Sequence, residues 1–61
     1  MTENRYTYWF LDHETGEEFF VELDRDDRFE AIGTAQEYFK SPQFIDMVSL
    51  EEAEAMGLDT Y

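Results

Sequence analysis

Alternation of apolar and polar positions dominates the first third of the chain. Residues 5–12 (RYTYWFLD) and 17–24 (EEFFVELD) are rich in aromatic and β-branched residues, and each reads as a strand. Between them, Asp12-His13-Glu14-Thr15-Gly16-Glu17 has the chemistry of a tight connection. Asp12 can bond the turn backbone through its side chain, and Gly16 can take the left-handed conformation that closes it. The two strands are therefore predicted to form a β-hairpin. A four-residue loop sets Asp12 opposite Glu17. Phe10 then faces Phe19, Tyr8 faces Val21 and Tyr6 faces Leu23, which makes one sheet face wholly apolar. The second face carries Arg5 near Asp24, Thr7 near Glu22, Trp9 near Phe20 and Leu11 near Glu18. A three-residue loop would shift the pairing by one and place Trp9 and Leu11 beside Val21 and Phe19. The first register gives the cleaner core face and is preferred.

Beyond the hairpin the period changes. Asp26 or Asp27 can cap a helix running to about Lys40. Phe29, Ile32, Ala35 and Phe39 fall near helical spacing and are expected to face the sheet, flanked by Ala31 and Tyr38. Glu30, Thr34 and Glu37 point outward. Gly33 inside the helix costs about 1 kcal/mol relative to Ala, and close packing on an aromatic ring would explain it. Ser41-Pro42 ends the helix. Residues 43–48 (QFIDMV) read as a third strand. Ser49 with Glu52 forms a capping box for a short helix to about Met56, and Gly57 stands where a left-handed cap belongs. Residues 58–61 form a tail, docked through Leu58 or Tyr61.

The element order is ββαβα over a single small domain, residues 1–61. The expected fold class is α+β: a three-stranded antiparallel sheet in the order 2-1-3, one long helix packed on one face, and a short C-terminal helix. The second face is covered, at best, by that short helix.

Charge narrows the functional classes. Four Lys and Arg against sixteen Asp and Glu give a net charge of −12, and the pI is about 4.1. Direct binding to nucleic acid needs clustered cations and is disfavoured. The same sign disfavours an anionic membrane, and no apolar run approaches the roughly 20 residues of a spanning helix. Residues 1–6 lack the apolar stretch of a signal peptide. With no Cys, the chain has no disulfides and no thiolate metal site, and the cytoplasm is the default compartment. Hydrophobic residues at 43% and aromatics at 18% are too many for a disordered acidic tail.

Candidate chemistry is sparse. His13 lies in the hairpin loop with no second His or Cys to complete a zinc site, and reads as a solvated turn residue. Residues 24–30 superficially resemble a calcium loop. The EF-hand pattern needs Gly at its sixth position and Glu at its twelfth, which here hold Phe29 and Ala35. Sixteen carboxylates guarantee chance pairs, but so short a chain has little core to spare for a cleft. No enzymatic activity, cofactor or metal is expected.

The acidic surplus and the aromatic surplus remain. Strand residues two apart lie on one face about 6.6 Å apart, so Glu18, Glu22 and Asp24 form a charged row on the second sheet face. Glu30 and Glu37 project from the long helix, and Glu51 and Glu54, with Glu52, cluster on the short one. Trp9 and Phe20 form an aromatic centre within a charged rim, as in an interface hot spot. The plainer readings are a solvated surface, a halophile's surface, and burial of the aromatics by the short helix or by a second copy. In size, charge, lack of Cys and lack of catalytic groups, the chain resembles the small acidic proteins of phages and mobile elements, such as anti-CRISPR proteins and DNA mimics. That resemblance implies a stoichiometric inhibitor occupying the nucleic-acid surface of a basic nuclease or CRISPR effector complex. The alternative is a structural or regulatory adaptor that binds a partner or itself through the aromatic face.

Overall fold

The computed structural model describes residues 5–61. Strands β1 (Tyr6–Asp12) and β2 (Glu18–Leu23) form the hairpin, followed by α1 (Arg28–Tyr38), β3 (Pro42–Val48) and α2 (Leu50–Met56). The sheet is antiparallel throughout, in the order β2-β1-β3. Tyr6 pairs with Leu23, Tyr8 with Val21 and Phe10 with Phe19, which is the register of the longer loop.

The loop owes its shape to Asp12, whose side chain is buried. Its carboxylate accepts the Thr15 N–H at 3.0 Å and the Thr15 hydroxyl at 2.9 Å. Its other oxygen accepts the Ser41 N–H at 2.9 Å, tying the hairpin tip to the start of β3. Gly16 closes the loop at φ 75°, a conformation that costs Gly nothing.

The core lies between the first sheet face and α1. Tyr8, Phe10, Phe19 and Val21 are buried on the sheet, and they meet Ala31 and Ala35 on the helix. Because the rings sit on the sheet, the helix must supply small side chains to come close. This corrects the expected helix stripe: Phe29 is 87% exposed. Asp27 is the N-cap, accepting the Glu30 N–H at 3.1 Å, and that start turns Ala31 and Ala35 inward. Asp26 instead accepts the Tyr8 hydroxyl at 2.8 Å. Gly33 is exposed with no atom within 4 Å of a Cβ placed there, so no ring packs on it.

The helix also ends early. It stops at Tyr38, and Phe39 is extended (φ −133°, ψ 153°) rather than helical. That backbone lets the Phe39 ring stack on Phe19, with centroids 4.1 Å apart. Tyr61 meets both rings edge-on, at 5.7 Å from Phe19 and 5.5 Å from Phe39.

On the second face, α2 and the tail cover one end of the sheet. A shallow cleft of about 270 Å³ between them is lined by Thr7, Glu22, Ala53, Glu54 and Leu58, among others. The Ser49 hydroxyl accepts the Glu52 N–H at 3.2 Å, and Gly57 ends α2 at φ 66°. The tail does more than dock a side chain: Phe20 and Thr60 form a parallel bridge along the outer edge of β2. Among the described residues, no helix is long and apolar enough to cross a membrane.

Candidate functional site

The strand registers place three rows across the second face. Glu22, Thr7 and Val48 form one, Phe20, Trp9 and Asp46 the next, and Glu18, Leu11 and Gln43 the third. The row containing Thr7 lies at the end covered by α2 and the tail. The Trp9 and Leu11 rows retain partial exposure, with Glu18, Gln43 and Asp46 exposed around them.

Trp9 is the aromatic of this open end. Its indole N–H donates to the Glu18 carboxylate at 3.1 Å, and Asp46 is its cross-strand partner on the other side. A half-buried indole with a carboxylate on either side suits a guanidinium or ammonium group. The ring face attracts the cation and the carboxylates pair with it. At the rim, His13 Nε2 is hydrogen-bonded to the Gln43 side-chain oxygen.

Phe20 does not share that role. It is 1% exposed, so the expected aromatic pair is a single half-buried ring, Trp9, with a fully buried ring beside it. The tail accounts for the difference. Thr60 bridges to Phe20, and α2 ends just before the tail on this side.

The candidate carboxylates divide between two sides of the sheet. Glu18 and Glu22 are on the second face. Glu51 and Glu54 are exposed on α2, which lies over that face. Asp24 is exposed just beyond the end of β2. Glu22 pairs with Arg5 at 2.6 Å and its side chain is 24% exposed, so part of its charge is compensated. Glu30 and Glu37 belong to α1, in the opposite layer, and Glu30 pairs with Arg25 at 2.7 Å. No one surface holds all seven.

Asp46 joins the site unanticipated. The sequence shows it inside the third strand. Its face depends on a register shift opposite Trp9 and Phe10, where Ile45 is the extra residue. A bulge reverses the alternation beyond it. Counting by twos from Phe44 therefore misplaces Asp46.

Among the described residues, no group of three or more His, Asp or Glu side chains is arranged to hold a metal ion. No family model matches the chain, and no curated protein or solved structure matches it significantly.

Proposed function

We propose that this chain is a non-catalytic acidic inhibitor that binds a basic nucleic-acid-binding protein, of the anti-CRISPR or DNA-mimic kind, in the cytoplasm where that target works. The reading rests above all on charge density. Residues 5–61 carry fifteen carboxylates against four Lys and Arg, leaving −11, along a long axis of 39 Å. That is roughly one net charge per 3.5 Å, beside 3.4 Å per phosphate along one nucleic-acid strand. These charges are divided between the two sides of the sheet, so a surface evolved to hold phosphates meets a weaker field of the same sign on either side, and long-range attraction speeds the encounter.

Trp9 supplies what a row of charges lacks. An Arg or Lys that normally meets a phosphate would lie over the indole between Glu18 and Asp46, and would thereby be desolvated on one side. Glu51 and Glu54 extend the acidic side beyond it.

The test begins with proteins retained on the immobilised chain from nuclease-treated lysate, followed by purification of the principal partner. Duplex DNA or RNA should then compete with the chain for that partner, and affinity should fall steeply as salt rises. Trp9→Ala with Glu18→Gln and Glu54→Gln should weaken binding by about tenfold to a hundredfold, at up to about 1 kcal/mol per exposed group. A ternary complex of chain, partner and nucleic acid would overturn the mimic reading. So would an affinity indifferent to salt.

A further inference from the structure

The fold treats the two edges of its sheet differently. Along the outer edge of β2, the Phe20 N–H donates to the Asp59 carbonyl at 2.8 Å. The Tyr61 N–H donates to the Phe20 carbonyl at 2.8 Å, and the Glu22 N–H to the Tyr61 carbonyl at 3.1 Å. That edge is closed by the chain's own tail. The outer edge of β3 has no such cover among the described residues. An edge strand directs peptide groups on alternate residues away from its neighbour, and that row is a template for another extended chain.

The side chains around this edge are unusually apolar for a solvated strand. Phe29 is 87% exposed, and Ile45 and Met47 are each 39% exposed. Phe29, Ile32 and Met47 line an open groove of about 590 Å³ between α1 and β3, together with Asp26 and Arg28. Arg28 is the cation of that lining, and its guanidinium already rests 5.1 Å from the centre of the Phe44 ring.

Charge decides the occupant. Two copies meeting at this edge would each bring a net charge of −12. They would also bring an exposed Asp46 within the strand itself, whose carboxylate accepts the Met47 N–H at 2.8 Å. A charge on an edge strand refuses a like strand and accepts an opposite one. Alternation then fixes the pattern. Met47 pairs with Tyr8 on the α1 side of the sheet, and Asp46 pairs with Trp9 on the other.

We propose that the β3 edge, with the Phe29–Met47 groove, binds an extended basic segment of a partner protein as a fourth strand, antiparallel to β3 like the other pairings of this sheet. Apolar side chains of the segment enter the groove, and its Lys or Arg side chains, on the opposite face, meet Asp46. This docking needs no nucleic-acid mimicry. Glu54 and Phe29 lie on opposite sides of the sheet, so the two ideas can fail separately.

The probe is a capped heptapeptide alternating Lys and Val, titrated into the isotope-labelled chain and followed by amide NMR shifts. Shifts should concentrate at residues 42–48 and at Phe29. N-methylating one alternate set of the peptide's backbone nitrogens should weaken binding by about tenfold, while methylating the other set is tolerated, because one edge of the peptide faces β3. Phe29→Ala, at an exposed position, should weaken it by about fivefold, and Asp46→Asn by about threefold. A Glu–Val heptapeptide should not bind. Absence of binding by the Lys–Val peptide, equal binding of both methylated forms, or shifts centred on α2 would overturn the proposal, as would a dimer of the chain alone formed through β3.

Discussion

Replacing Phe39 by Ala tests the ring cluster that ends α1. Phe39 stacks on Phe19 at 4.1 Å and 17° from parallel, and meets Tyr61 edge-on at 5.5 Å. Truncating a fully buried Phe costs about 3–5 kcal/mol. Phe39 is half-buried, so about 2 kcal/mol is expected on the same scale. A chain of 61 residues is stable by about 3–9 kcal/mol at 0.05–0.15 kcal/mol per residue, which makes this a large fraction. At about 4–8 °C per kcal/mol, Tm should fall by about 8–16 °C. A double-mutant cycle with Phe19→Leu isolates the ring pair, with a coupling of about 1 kcal/mol. Urea unfolding followed by Trp9 fluorescence and far-ultraviolet circular dichroism measures both quantities, and the denaturant slope should not change. If the single effects add to within about 0.3 kcal/mol, the rings do not stack in solution. The explanation for the early end of α1 then fails.

Burial, followed by the hydrogen bond to Asp26, pushes the Tyr8 hydroxyl up to about 12. Its contribution to stability is present below the unfolded value of about 10 and is lost as pH rises towards the folded one. Tyr61 is raised too, mainly by burial, and acts in the same direction. Tyr8→Phe should therefore flatten part of the alkaline fall in urea midpoints, and identical falls in both proteins would exclude Tyr8 as a cause. Burial opposes the Asp12 charge, but donors from Ser41, Thr15 and Glu14 outweigh it and hold the carboxyl below its ordinary value. Its contribution is present above the unfolded value of about 3.9 and disappears as pH falls through the folded one. Thermal melts of Asp12→Asn should thus converge on those of the native sequence in acid, whereas a gap independent of pH would contradict the assignment. Gly33→Ala meets no neighbour and needs no positive φ. It should stabilise by about 0.5–1 kcal/mol, raising Tm by about 2–8 °C, and a fall in Tm would mean that something packs there.

The hairpin was legible because two independent signals agreed. Asp12 and Gly16 specified the loop, and the aromatic alternation favoured one register over the other, so the hairpin and its preferred faces follow from the residues, whereas the place of β3 beside β1 is fixed by tertiary packing. The helix face is harder to read, because large apolar residues dominate its periodicity while small ones make the contact. Once Tyr8, Phe10 and Phe19 crowd the sheet, the helix approaches through Ala31 and Ala35, and Phe29 is displaced into solvent. Asp46 was hidden by a bulge that no local composition announces. The burial of Phe20 depended on where residues 59–61 run, a backbone interaction between chain segments about forty residues apart.

Charge and edge are linked. An edge strand with exposed Ile45 and Met47 beside an exposed Phe29 is an aggregation hazard in a neutral protein. The net charge of −12 makes the meeting of two copies repulsive, and Asp46 places one of those charges on the strand at risk. The tail closes the β2 edge through backbone hydrogen bonds, which work whatever the partner's sign. The β3 edge instead relies on charge, which discriminates by sign. Acidity that costs stability through self-repulsion therefore also permits an apolar edge to stay open. The two surfaces argued for a partner, the Trp9 end of the second face and the β3 edge, share Asp46 between them. A basic target long enough to turn around β3 could meet both.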